Sequence, residues 1–230
     1  MKKIILTAAC ALAVSQLQAQ ETDFSFHVTF GTSLATTSGM SFAASDVVPF
    51  DAAASFYFDE GFWVSQKIGE SNFATVRGFD FSVSYLGLGD QVVALGEDIG
   101  QPAGTYLVDG RSTLKSSNVG KISLEMPLGL SWYRNDTRAL SAGLYGAWHL
   151  VAIGQETFTA NDGGWMAVES IQGRLNTSRF AYGAFVDLRL KGATSLYVKS
   201  ELTPFFRQRE DLSTPMFTSN AIGLRVSIGD

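Results

Sequence analysis

Lys121-Ile122-Ser123-Leu124-Glu125-Met126-Pro127-Leu128-Gly129-Leu130-Ser131-Trp132 alternates without a break. Its even positions are apolar, and its odd positions are charged, polar or small. A strand has period two, so the two sets fall on opposite faces. The same split recurs at 139–152, 177–190, 194–206 and 220–229. Links between such segments alternate short and long. Apolar-out, polar-in strands with that spacing predict an all-β fold, an antiparallel up-and-down transmembrane β-barrel.

Eight strands are predicted, over 24–35, 75–87, 91–99, 118–132, 139–152, 177–190, 194–206 and 220–229. The third is the weakest, because Val92-Val93 blurs its alternation. Long links then cover 36–74, 100–117, 153–176 and 207–219. Short ones cover 88–90, within the tight turn Gly87-Leu88-Gly89-Asp90, and also 133–138 and 191–193. An even strand number puts both termini beside the short turns, the periplasmic side of an outer-membrane barrel. Residues 50–68 are apolar for a loop, and Phe50, Ala52, Ala54, Phe56 and Phe58 alternate. Asp59-Glu60-Gly61 reads as a turn that makes a further hairpin, which leaves a ten-strand count open.

Lys2 and Lys3, the apolar run Ile4 to Val14 and the Leu17-Gln18-Ala19 site read as a secretory signal over 1–19, followed by one barrel domain over 20–230. The apolar run is about half the roughly 20 residues a membrane-spanning helix needs. A lipoprotein reading of Cys10 is disfavoured, since the apolar run continues past it. The remaining chain has no cysteine for disulfides or thiol chemistry. Without the two lysines, 15 basic residues face 22 acidic ones, a net charge of −7 that argues against nucleic acid. Charged residues are 17% of the chain, below the ~25% of a soluble domain. A soluble barrel such as a lipocalin shows the same periodicity. Charge on the polar face and aromatics near strand ends (Phe24, Phe26, Trp132, Phe180, Tyr182, Phe206) favour the membrane.

Ile122-Ser123-Leu124-Glu125-Met126-Pro127-Leu128-Gly129-Leu130, followed by Leu140-Ser141-Ala142-Gly143-Leu144-Tyr145-Gly146, resembles the small outer-membrane β-barrel family called PorT-like. The resemblance extends to Ile222-Gly223-Leu224-Arg225-Val226. It implies a Gram-negative outer-membrane barrel, usually of eight strands. The chain departs from such barrels in ending Gly229-Asp230 rather than on an aromatic residue, and in its longer, more aromatic region before 75.

An eight-stranded barrel is just wide enough for its own side chains to fill. Asp80, Glu125, Lys199, Glu201 and Arg225, with Tyr145 and Tyr197, are expected near mid-height of the lumen, and Arg225 is placed to pair with Glu201. His149, Arg179, Asp187 and Arg189 are also expected inside. The favoured reading is a polar network that closes the lumen; the alternative is a narrow porin-like path for ions or small solutes. Barrel enzymes use a His–Ser pair with a carboxylate, or paired aspartates near the outer rim. His149 has no serine at the spacing such a pair needs, and His27-Val28-Thr29 lies at the wrong end, so no enzyme is expected. Two separated histidines make no usual zinc site, and no cofactor is expected. Loop acids Glu156, Asp162, Glu210 and Asp211 read as solvated charge. Phe62, Trp63 and Trp165 are candidate loop contacts for an extracellular ligand or protein partner. The other expected partners are outer-membrane lipid, lipopolysaccharide and the barrel-assembly machinery.

Overall fold

A computed structural model describes residues 22–37, 51–89, 112–134, 137–160, 166–173, 177–205, 207 and 217–229. The secretory signal, the strand expected at 91–99, Phe206 and Trp165 lie outside the described residues. Among the described residues there are nine strands: β1 (Thr22–Thr37), β2 (Asp51–Lys67), β3 (Phe73–Gly89), β4 (Ser112–Arg134), β5 (Thr137–Ala160), β6 (Met166–Gly173), β7 (Phe180–Lys191), β8 (Thr194–Glu201) and β9 (Phe217–Ile228). All pairings are antiparallel. The sheet runs β4-β3-β2-β1-β9-β8-β7-β5 and closes through β4–β5, giving an eight-stranded barrel. The ninth strand, β6, pairs only with the upper part of β5, from Ala152 to Thr159, and stands outside the ring as a hairpin arm.

The count of eight stands, but one strand is not where it was expected. Residues 36–74 are not one long link, because β2 crosses the wall there in a single pass. Asp59-Glu60-Gly61 makes no turn: Asp59 is buried in the lumen, Glu60 faces outward, and Gly61 opposes Asp80 on β3. A turn-like tripeptide fits a strand here because Asp59 finds a cation contributed by a distant strand. Gly87-Leu88-Gly89-Asp90 likewise is not a turn through Gly89, since β3 continues to that residue with Leu88 buried.

The described short connections, β2–β3 and β7–β8, lie at one end with the paired ends of β4 and β5, Arg134 and Thr137, and so do Thr22 and Ile228. Gly192 in the β7–β8 turn has φ 55°, in the left-handed region that favours glycine. Following paired residues around the ring leads from Phe73 through Trp132, Leu140, Leu188, Leu196, Leu224, Phe30 and Phe58 to Val83. The path returns to β3 ten residues above its start. With strands about 4.8 Å apart and about 3.3 Å per residue, that stagger tilts the strands by about 40°.

Burial is reversed relative to a soluble domain. On β4, Lys121, Ser123, Glu125 and Ser131 are buried, while Met126, Leu128 and Leu130 are 63%, 66% and 53% exposed. On β7 the exposed outward residues run from Phe180 through Tyr182, Val186 and Leu188 to Leu190. The ten steps from Phe180 to Leu190 rise about 25 Å along the axis at this tilt, which matches the apolar band of an outer-membrane barrel at about 25 Å. Aromatics sit at its edges: Phe24, Phe73 and Trp132 near the short turns, and Phe56, Trp148 and Phe180 toward the other rim. One bulge re-aims β5, where Ile122 and Ser123 oppose Val151 and His149 and Leu150 is skipped. Beyond it Ala152 and Gly154 point inward.

Gly129 and Gly143 face each other across β4–β5, and a Cβ on Gly143 would overlap the Leu128 carbonyl. Gly143→Val is expected to destabilise the barrel by about 1–3 kcal/mol. The effect reads out as a lower urea midpoint of the folded, heat-modifiable band on electrophoresis. An unchanged midpoint would show that the wall yields there at no cost.

Candidate functional site

The lumen is the chemically distinctive part of the molecule, and its groups stack in storeys. The lowest centres on Arg225 of β9, which is fully buried. Its Nη2 lies 3.1 Å from Asp59 Oδ2 and 4.0 Å from Asp80 Oδ2, and its Nη1 lies 3.4 Å from Asp187 Oδ2. Nε donates to Thr29 Oγ1 at 2.8 Å. The guanidinium also stacks on Tyr197 and Trp63, 3.7 and 4.4 Å from the ring centroids. Tyr57 donates its hydroxyl to Asp59, and Trp63 Nε1 donates to Asp80 at 3.4 Å. His27 Nε2 is 3.2 Å from Asp80 Oδ1 and 3.8 Å from Asp59 Oδ1. Strands β1, β2, β3, β7 and β9 thus all meet at one cation.

The middle storey is Lys199 of β8 bonded to Glu125 of β4, which also accepts from Ser82. Asp80 and Glu125 are direct cross-strand neighbours. Like charges so placed repel, and here Arg225 attends one and Lys199 the other. Lys199 also lies 4.8 and 4.9 Å from the Tyr57 and Tyr145 ring centroids.

The upper storey joins β4, β5 and β8. Lys121 Nζ reaches both Glu201 oxygens at 2.8 and 3.0 Å, and lies 3.3 Å from His149 Nε2. Ser123 Oγ is 2.7 Å from His149 Nδ1, and His149 Nε2 is 3.6 Å from Glu201. Above this group Leu86, Leu88, Val119, Phe205 and Phe217 form a buried apolar cluster. Phe205 and Phe217 stack at 5.1 Å, and Lys121 sits 4.2 Å over the Phe205 ring.

Asp80, Glu125, Tyr145, His149, Asp187, Lys199, Glu201 and Arg225 all face the lumen. Their pairing differs from expectation. Arg225 does not pair with Glu201, because it opposes Ser195, six residues below Glu201 on β8, and the stagger carries Asp59 and Asp187 to it instead. Glu201 takes Lys121, whose odd position on β4 already marked it as inward. Asp59, His27, Tyr57 and Arg138 are among the buried lumen groups to which the sequence assigned no role. Asp59 was hidden by its turn-like neighbours, whereas His27 and Lys121 lay in plain alternation.

Further corrections concern the serine, the loop contacts and Arg179. His149 does have a serine, supplied across the β4–β5 register, where Ser123 opposes it. Spacing along one strand cannot show a partner on the next. Phe62 and Trp63 are not loop contacts: both lie in β2, where Trp63 is 1% exposed within the lumen and Phe62 faces outward against Phe24. Arg179 is not inside; it is exposed just before β7, over the rings of Trp148 and Phe180.

Ser123, His149 and Glu201 have the composition of a nucleophile, a base and an orienter. Their surroundings do not suit turnover. Lys121 occupies the space at His149 Nε2 and binds the carboxylate, and Ser123 is 3% exposed beneath the apolar cluster. A nucleophile must reach a reacting atom, and this one is packed among its own partners.

No family model and no curated relative matches the chain, so the PorT-like resemblance has no family model behind it. Solved structures of outer-membrane proteins are similar to the chain at low identity. The Ail attachment invasion locus protein of Yersinia pestis is 12% identical over 90% of this chain and 99% of its own, with a TM-score of 0.37. A major outer membrane protein from Thermus thermophilus is 9% identical over 89% and 99%, with a TM-score of 0.48. Neisserial surface protein A is 8% identical over 91% and 99%, with a TM-score of 0.34.

Removing Arg225 leaves three buried aspartates without their shared cation. Arg225→Leu is expected to cost about 3–5 kcal/mol, as loss of one partner of a buried ion pair does. Ser131→Ala, which removes one buried Ser131–Ser141 hydrogen bond of 2.6 Å, is expected to cost about 1 kcal/mol. Urea unfolding followed by tryptophan fluorescence separates the two. Equal effects would mean that the Arg225 cluster contributes no more than an ordinary hydrogen bond.

Proposed function

We propose that this chain is an integral outer-membrane β-barrel of a Gram-negative bacterium with a closed, side-chain-filled lumen. It acts without catalysis, as a structural or interaction protein. The observation that carries this reading is the reversal of burial: ion pairs inside, and an exposed apolar band about 25 Å tall edged by aromatics outside. A soluble barrel would turn those leucines and phenylalanines inward. The termini then lie on the periplasmic side with the short turns.

The closed lumen follows from the stacked storeys and from the apolar cluster above them. A porin-like path would need a continuous wet passage, whereas Arg225, Lys121, Tyr57, Tyr197 and Phe185 are each at most 2% exposed. The absence of catalysis rests on the packing around Ser123. Function then falls to the end bearing the long connections, where β5 continues beyond Leu150 and pairs with β6 to form an arm above the band. That arm is the contact surface for a ligand or protein partner outside the cell, with lipid and lipopolysaccharide around the wall below.

Reconstituted into a planar bilayer, the purified barrel is expected to show no steady conductance while migrating as a heat-modifiable folded band. Long-lived channels of uniform size would overturn the closed lumen in favour of the pore. Recovery of the mature chain in the soluble fraction would overturn the membrane reading itself.

A further inference from the structure

Glu60 and Arg77 break the pattern of the outer wall. On β2 the outward residues are Phe56, Phe58, Glu60, Phe62 and Val64, so the carboxylate is the central one of the five. On β3 they are Phe73, Thr75, Arg77, Phe79, Phe81 and Val83. Both charged residues are exposed. Among the described residues they are the only charged side chains on the outward face within the apolar band, and they stand on adjacent strands. A charge facing lipid is destabilising, so an isolated pair of opposite sign in one patch calls for a partner.

They do not serve each other. Glu60 opposes Phe81 and Arg77 opposes Val64, four residues apart along the strands. Neither has an ion pair among the described residues. Beside Glu60 the wall holds an outward groove of about 430 Å³ lined by Phe26, Val28, Phe62, Phe79 and Phe81. Aromatic faces around one carboxylate suit a guanidinium, which stacks on rings and bonds a carboxylate together.

The geometry points to a second copy of this chain as the occupant, in a two-fold dimer through the β1–β3 wall in which Arg77 of each copy pairs with Glu60 of the other. The proposal rests on the outer-membrane reading above. Copies inserted in the same sense are related by an axis along the membrane normal, which preserves height. Such an axis between β2 and β3 sets β2 of one copy against β3 of the other, and makes the two ion pairs equivalent. Arg77 stands about 7 Å nearer the short turns than Glu60, by the tilt and spacing of the strands. An arginine side chain reaches that far. One anion and one cation on a single patch are self-complementary, whereas a partner of another kind would have to match both signs at this offset.

The test uses the full chain expressed in a Gram-negative host, in a Cys10→Ser background. Phe79→Cys places a thiol between the two charges, and Leu144→Cys places one on β5, the second strand from β3 around the ring and outside the β1–β3 wall. Bis-maleimide crosslinking of outer-membrane fractions is expected to yield dimer from Phe79→Cys at least tenfold above Leu144→Cys. Adding Glu60→Arg or Arg77→Glu is expected to abolish that excess, and the double exchange to restore it. Glu60→Gln, which keeps the shape, is expected to reduce it where the reversed charge impairs assembly. Equal crosslinking at the two positions, or no restoration by the double exchange, with folded heat-modifiable monomer still in the outer membrane, overturns the dimer alone. Recovery of the chain outside the membrane overturns both the dimer and the reading beneath it.

Discussion

Arg225 is the point on which the interior depends. A ring of eight strands has an inside too narrow to hydrate freely, and this chain has placed three aspartates there within reach of one guanidinium. Each acid comes from a different strand, so the ion cluster acts as a cross-brace as well as a neutraliser. The brace favours one stagger of the wall, because a shift of one residue would turn an aspartate out toward lipid and a phenylalanine in. Lys199 with Glu125, and Lys121 with Glu201, repeat the arrangement nearer the other rim.

The wall was legible in the sequence because its rule is local. Alternation on β4, β5, β7 and β9 names inner and outer residues one strand at a time, and lipid on the outside keeps the rule strict. The interior was legible only in part. That Glu201, Lys199 and Arg225 face inward follows from parity; which acid meets which base follows from a stagger of ten residues around the ring, which no single strand records. Ser123 shows the same limit, since its hydrogen bond to His149 exists only across the register. β2 was obscured for a different reason. Asp59-Glu60-Gly61 carries ordinary turn chemistry, and its outward glutamate breaks the apolar face where the alternation most needed to continue.

The two kinds of buried cluster divide the lumen between them. Ion pairs and aromatic rings fill its lower and middle parts, with Arg225 and Lys199 stacked on tyrosines rather than solvated. Above them, Phe205 and Phe217 join Leu86, Leu88 and Val119 in a buried apolar cluster. Lys121 bridges the two regimes, its ammonium between Glu201 and the Phe205 ring. Among the described residues this packing leaves Ser123 3% and Glu201 4% exposed where the serine, the histidine and the glutamate meet.

The seam between β1 and β9 has a consequence in time. These strands pair over twelve positions, from Phe26 with Ile228 to Thr37 with Phe217, so the first strand made waits for the last. Arg225 arrives with that last strand, while Asp59 and Asp80 arrive with the second and third. Until β9 docks, those early acids lack the Arg225 guanidinium they share. Ring closure and the pairing of Asp59 and Asp80 with Arg225 are therefore one event.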